Sequence, residues 1–256
     1  MRTHTLAFVA AIALFLVVAG CEEERVYPLP APSTDHPAPW DPDTPYDPAV
    51  DPADLATEIS NPLFPGPQGA RWVYEGATDE GLEHIEVYVE EETREVWGAT
   101  ATVIRDTVEL EGEVIEDTWD WFAQDADGNV WYLGEDTYEY ENGEVVCSCG
   151  AWEAGVDSAL PGIVMLDDPG VGDAYRQEYY PGEAEDLAEV VQVGVTVTVA
   201  AGTFTGCVRT REVTPLERDV QEFKTACPGI GVVLEEVPED GERVELIEYE
   251  GLTPEE

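Results

Sequence analysis

Hydrophobic and polar residues alternate through most of the chain after Gly69. Segments such as HIEVYVEEE, ATATVIRDTVELEG and RVELIEYE place Val, Ile, Thr or Tyr at every second position. Period-two alternation of β-branched and aromatic residues is typical of half-buried strands, and glycine-containing turns separate many of these segments. The sequence therefore predicts an all-β domain over residues 69–251, a single antiparallel meander that forms a barrel or a strongly curved sheet.

Residues 21–68 follow a different pattern. Twelve of the 19 prolines lie between Pro28 and Pro67, in phrases such as YPLPAP and HPAPWDPDTPYDP. Proline fixes its own φ angle and restricts the residue before it, so this stretch is predicted to be a disordered, Pro/Asp-rich arm that acts as a semi-rigid spacer. One short helix is expected in the arm, with Asp51 as N-cap and Pro52 at the first helical position.

Residues 1–20 are predicted to be a signal peptide. They combine the positive start MRTH with the apolar run TLAFVAAIALFLVV, which is too short to span a bilayer comfortably, and the phrase VAGC follows. This N-terminus resembles a bacterial lipoprotein signal. The resemblance implies cleavage before Cys21, acylation of Cys21, and a lipid-anchored extracytoplasmic location at the outer membrane or cell surface. An uncleaved membrane helix is the alternative.

The charge of the chain limits its partners. There are 57 Asp and Glu residues against 11 Lys and Arg, which gives a formal net charge of −46, and Lys224 is the only lysine. A surface of this kind repels nucleic acid and like-charged copies of itself and attracts cations. We therefore expect a monomer that binds no nucleic acid.

The stretch FAQDADGNVWYLGED allows two interpretations. Asp125, Asp127 and Asn129 have the spacing of the first three ligands of a calcium loop, but an EF-hand loop needs glycine at the sixth position, where this chain has Val130. The alternative is a hairpin with DADGN as its turn, and the broken calcium pattern favours it. Calcium at these three residues is the one cofactor that the sequence suggests.

The hairpin interpretation places Ala123 opposite Trp131 and Trp121 opposite Leu133, with Trp119 on the same face. Aromatic rings beside carboxylates are typical of carbohydrate-binding surfaces, so Trp119, Trp121 and Trp131 are candidate ligand-binding residues. Packing of these rings in the core is the alternative.

A second candidate group lies in DAYRQEYYPGEAED. Arg176 is one of few bases in the chain, and Tyr175 and Glu178 are close to it in sequence, so these three residues are further candidates for ligand binding. An internal ion pair of Arg176 with a neighbouring carboxylate is the alternative.

Four cysteines follow Cys21, and in an exported chain an even number predicts disulfides. Cys207 and Cys227 flank a predicted hairpin through TPLERD, which would place them opposite each other on two strands. Cys147 and Cys149 could close a small ring or pair with the other two cysteines. A tetrathiolate metal site is a weaker alternative, because the usual two-residue spacing between thiols is missing.

The sequence predicts no catalytic residue. His84 is the only histidine after residue 68, and neither Ser148 nor Ser158 lies in a nucleophile elbow. Paired carboxylates could hydrolyse glycosides, but among 57 acidic residues such a pair arises by chance and is uninformative.

Long phrases resemble a group of uncharacterised secreted or lipid-anchored bacterial proteins. They include WDWFAQDADGNVWYLGED and TPLERDVQEFKTACPGIGVVLEE, and the resemblance covers most of Asn61 to Val237. It implies an extracytoplasmic β domain and no particular activity. We therefore expect a lipoprotein of the cell envelope that is a binding or accessory protein, with a carbohydrate, a hydrophobic molecule or a cation as ligand. The alternatives are a carboxylate-dependent hydrolase of envelope polysaccharide and a carrier that holds a hydrophobic ligand inside the curved sheet.

Overall fold

The fold consists almost entirely of antiparallel strands. The structure is a computed structural model, and it describes residues 26–34, 36–78 and 81–254. The strands are β1 Arg71–Ala77, β2 Leu82–Val96, β3 Ala99–Leu110, β4 Glu113–Gln124, β5 Val130–Glu141, β6 Glu144–Cys147, β7 Trp152–Glu153, β8 Leu160–Met165, β9 Ala174–Arg176, β10 Glu178–Tyr179, β11 Leu187–Val199, β12 Gly202–Val213, β13 Glu222–Cys227, β14 Gly231–Val237 and β15 Glu242–Glu250. The prediction of an all-β fold is confirmed.

The strands form one sheet in the order β10-β8-β5-β4-β3-β2-β1-β15-β14-β13-β12-β11-β9, and β6 and β7 pair with β5 outside this path. Strands β1 to β5 are neighbours in chain order, and so are β11 to β15, which is the predicted meander. The first and last strands pair in the middle of the sheet, where Trp72 lies opposite Tyr249.

A single short segment joins the two ends of the sheet. Arg176 on β9 pairs with Leu187 on β11, whereas two residues later Glu178 on β10 pairs with Pro161 on β8 at the opposite end. A Cβ atom at Gly162 on β8 would overlap the carbonyl oxygen of the intervening residue, so glycine permits the close approach of the two ends. The sheet is thereby nearly closed into a barrel, as the curved-sheet prediction allowed.

The described part of the proline-rich segment lies against this barrel. Its backbone has little regular structure, as the prolines predict. The expected short helix is a 3-10 turn at Pro52–Asp54. Asp51 caps this turn, because its carboxylate accepts a hydrogen bond from the backbone N–H of Ala53. Trp40, Tyr46 and Phe64 are nevertheless buried. These aromatic side chains remove apolar surface from water by packing on the sheet.

In the residues that the structure describes, no helix has the length and apolar character needed to cross a membrane.

Candidate functional site

Carboxyl groups occupy much of the barrel interior. Strand alternation explains how they reach it: in the β4 segment EDTWDW, Glu116 and Asp120 share one face, while Trp119 and Trp121 share the other. The buried carboxyls, which are all less than a tenth exposed, include Glu116, Asp120, Glu135, Glu178, Asp186, Glu212, Glu222 and Glu235. Ionised groups are costly to bury unless they are paired with an opposite charge. The buried carboxyls that lack such a partner are therefore expected to stay protonated.

Lys224 lies among these carboxyls. Its Nζ atom is 3.1 Å from Oε2 of Glu212 and 3.5 Å from Oε2 of Glu222. Glu212 and Glu222 lie opposite each other on β12 and β13, and Lys224 follows Glu222 by two positions, so all three side chains share one face. Burial disfavours the charged form, but Glu212 and Glu222 raise the pKa of Lys224 well above its usual value.

Tyr132 connects two further carboxyls. Its hydroxyl oxygen is 2.6 Å from Oδ1 of Asp120 and 2.9 Å from Oε2 of Glu135. A hydroxyl carries a single proton, so both contacts are hydrogen bonds only when one carboxyl is itself protonated and donates. Burial raises the pKa of Asp120 to about 7 and that of Glu135 well above its usual value. The three groups therefore retain a shared proton near neutral pH.

A cavity of about 30 Å³ opens beside Lys224, and it is lined by Tyr132, Gln177, Glu178, Asp186 and Glu212 among others. Within the described residues, Oε2 of Glu178 and Oδ1 of Asp186 have no hydrogen-bond partner although both side chains are buried. Burial raises the pKa of Asp186 to about 7 and that of Glu178 well above its usual value. The volume corresponds to about two water molecules, so only an ion or a water-sized ligand fits.

Of the candidates in DAYRQEYYPGEAED, only Glu178 lines the cavity. The Arg176 guanidinium instead lies 4.9 Å from the ring centre of Trp40, 5.4 Å from Tyr46 and 4.8 Å from Tyr179. Its ion-pair contact is 3.8 Å to Glu185. Arg176 therefore holds the proline-rich segment on the barrel through cation–π contacts. Tyr175, next to Arg176 in sequence, is also buried, and its backbone forms an isolated antiparallel bridge with Pro39 of the proline-rich segment.

The candidate tryptophans do not form one open face. Trp121 and Trp131 are buried, whereas Trp119 is half-buried and carries the Arg105 guanidinium 4.9 Å from its ring centre. Ala123 pairs with Trp131 as predicted, but a bulge after Trp121 shifts the register, so Trp121 lies opposite Gly134 rather than Leu133.

The hairpin interpretation of DADGN is confirmed. The Asp125 carboxylate accepts from the backbone N–H groups of Asp127 and Asn129, from Nδ2 of Asn129 and from Nε1 of Trp131. Asn129 Oδ1 in turn accepts from the backbone of Asp167. Across the described part of the chain, no group of three or more His, Cys, Asp or Glu side chains is arranged to hold a metal ion. The weak calcium hypothesis stays a prediction.

Both disulfides fit the sequence. Cys207 on β12 is bonded to Cys227 on β13, with Cα atoms 4.1 Å apart, which confirms the favoured pairing. Cys147 is bonded to Cys149, the small-ring alternative. The two disulfides indicate an oxidising extracytoplasmic compartment. Cys21 lies outside the described residues.

Sequence reasoning missed most of the acidic interior, including most residues that line the cavity. Asp120, Tyr132, Glu135, Asp186 and Lys224 were not candidates. One signal was available: Lys224 is the only lysine in the chain, and Glu222 lies two positions before it on the same face of the predicted strand.

The fold and the interior define a disulfide-bonded antiparallel barrel whose inside is acidic. No protein-family model, no curated protein and no solved structure matches the chain. The resemblance to uncharacterised secreted proteins therefore remains an expectation from the sequence.

Proposed function

We propose that this chain is a lipid-anchored, extracytoplasmic binding protein of the cell envelope, and that its ligand is a small monovalent cation held between Glu178 and Asp186. The observation that carries the proposal is the cavity beside Lys224, into which each of these two buried carboxyls brings an oxygen atom without a hydrogen-bond partner in the described residues. An unpaired buried carboxylate oxygen is costly, and a bound cation removes that cost.

The size of the cavity supports a small ion over a larger ligand at this site. A volume of about 30 Å³ is far below the several hundred Å³ that small-molecule pockets typically provide. A sugar ring or a hydrophobic molecule requires a space of that larger size and does not fit in this cavity beside Tyr132. The cation is therefore the best supported of the three expected ligands.

The arrangement favours a monovalent ion over calcium. Calcium takes about six to eight oxygen ligands, several of them carboxylates. The described residues hold no cluster of three acidic side chains suited to a metal ion, and the nearby Lys224 ammonium already supplies one positive charge. Two carboxyl oxygens, together with the neutral side chains of Gln177 and Thr210 that also line the cavity, match a weakly coordinated ion such as sodium.

Protons compete with the cation for the same oxygens. Because burial raises the pKa of Asp186 to about 7 and that of Glu178 well above its usual value, both carboxyls tend to be protonated in acid. Cation binding must displace those protons, so the affinity is expected to rise as the pH rises through 7.

The location rests on two further arguments. The disulfides between Cys147 and Cys149 and between Cys207 and Cys227 support an exported protein. The lipoprotein-like N-terminus supports an anchor at Cys21, and in the producing cell Cys21→Ser is expected to abolish lipid labelling and membrane retention.

The cation is tested by thermal unfolding at pH 8 in sodium chloride and in N-methylglucamine chloride of equal ionic strength. Both salts screen the surface charge equally, but only sodium is small enough for the cavity. We expect a higher Tm in sodium, and Glu178→Gln should remove the difference. Glu141→Gln at an exposed position is the matched control and should retain it. Equal Tm values of the unmodified protein in the two salts would refute the cation site.

A further inference from the structure

The only lysine of the chain is positioned to form a covalent bond. Nζ of Lys224 is 3.1 Å from Oε2 of Glu212, and the exposed fractions of the two side chains are 9% and 10%. A second carboxyl oxygen, Oε2 of Glu222, lies 3.5 Å from the same nitrogen. An amine, a carboxyl group that can serve as acyl donor and a second carboxyl able to carry a proton therefore meet at one point inside the barrel.

We propose that Lys224 and Glu212 condense to an intramolecular amide that cross-links β13 to β12, with Glu222 as the proton carrier. Glu222 accepts a proton from the Lys224 ammonium, and the resulting amine attacks Cδ of Glu212. The N–C bond forms, the C–O bond to one carboxyl oxygen breaks, and that oxygen leaves as water with protons from the amine and from Glu222. An ammonium and a carboxylate are converted into an amide and water, so no oxidant or other reactant is required.

The barrel favours this reaction in two ways. The strands fix the reacting groups, since Thr210 lies opposite Lys224 and Glu212 lies opposite Glu222 in the β12–β13 register. Groups held in this manner react as if at very high concentration. The reaction also replaces a buried ion pair, which has lost its hydration, by a neutral amide.

The amide and the proposed cation site use different side chains, although formation of the amide removes the Lys224 ammonium that lies beside the site. The cation uses oxygens of Glu178 and Asp186, whereas the amide uses Lys224 and Glu212, and the two are measured by different methods. Failure of one experiment therefore leaves the other proposal standing.

Intact mass spectrometry of the folded protein, after reduction of its disulfides, tests the amide. We expect a mass about 18 Da below that of the unlinked chain, the mass of one water. Peptide mapping should then join the segment that contains Lys224 to the segment that contains Glu212. Dehydration of an Asp-Gly pair elsewhere gives the same mass change, so Lys224→Arg serves as the control and should restore the full mass.

Glu212→Gln provides a second measurement, because its amide should form with loss of ammonia, about 17 Da, and yield the same linked product. The proposal is overturned if the folded wild-type protein keeps its full mass after prolonged incubation at neutral pH. A cross-link that maps to Glu222 instead of Glu212 also overturns it.

Discussion

Replacing Asp120 with Asn tests whether buried carboxyls set the pH dependence of stability. Asp120 is fully buried on β4 and accepts a hydrogen bond of 2.6 Å from the Tyr132 hydroxyl. Burial raises its pKa from 3.8 to about 7. Between these two values the folded protein keeps a proton that the unfolded chain has released. The stabilisation from this proton is therefore complete below pH 3.8 and is lost progressively as the pH rises to about 7.

The size of the effect follows from the same two pKa values. One pKa unit corresponds to about 1.4 kcal/mol, so the shift of Asp120 is worth about 4 kcal/mol across the window. Asn has nearly the same shape but does not titrate. The free energy of unfolding of the variant should therefore fall less steeply with pH, by about 1.4 kcal/mol per unit. Glu135 and Asp186 remain and act in the same direction, so the pH dependence is reduced rather than abolished.

The measurement is urea unfolding followed by tryptophan fluorescence at several pH values from 4 to about 8, the window that the pKa shift defines. Asp127→Asn is the control, because Asp127 is exposed in the β4–β5 turn and the substitution makes the same chemical change, from a carboxyl to an amide, at the surface. We expect the control to keep the wild-type slope. Parallel pH profiles of Asp120→Asn and the wild type would show that Asp120 is ionised in the folded protein, contrary to the argument.

Two further predictions concern elements around the interior. Replacing both Cys207 and Cys227 with Ser should lower the free energy of unfolding by about 3 kcal/mol, since the bond closes a loop across a sequence separation of 20; unchanged urea midpoints would contradict this. Asp125→Ala should cost about 1 to 3 kcal/mol because the buried Trp131 indole N–H loses its acceptor. The same variant should leave the response of Tm to calcium at constant ionic strength unchanged, and a saturable calcium isotherm that Asp125→Ala abolishes would restore the calcium hypothesis.

The strands were predictable from the sequence because their pattern is local. Alternation of apolar and polar residues is visible within each segment, and so is the turn chemistry of Asp125 to Asn129, whose hydrogen bonds close within the hairpin itself. The Cys207–Cys227 pairing was predictable for the same reason, since one hairpin contains both residues.

The acidic interior was not predictable, because it breaks the rule that charged residues face water. Acidic residues alternate with apolar ones on most strands of this chain, so an acid that points inward has the same sequence pattern as one that points outward. Glu178 and Asp186 meet Lys224 only because the segment through β9 and β10 closes the sheet. That contact depends on the long-range topology.

The proline-rich segment shows a similar limit. Its prolines correctly predict an irregular backbone, but the local sequence does not predict that Trp40 and Tyr46 pack on Arg176. The two rings pack against Arg176, which lies more than a hundred positions away in the sequence.

The pairing of β1 with β15 has a consequence for how the protein is made. Residues 71–77 find their hydrogen-bonding partners at residues 242–250, so the central part of the sheet cannot form until nearly the whole chain is available. Contacts of such large sequence separation are slow to form. The pairing of β1 with β15 is therefore expected to form late, after the pairings between consecutive strands on either side of it. The order of strands thus makes the middle of the sheet the last part of the fold to be completed.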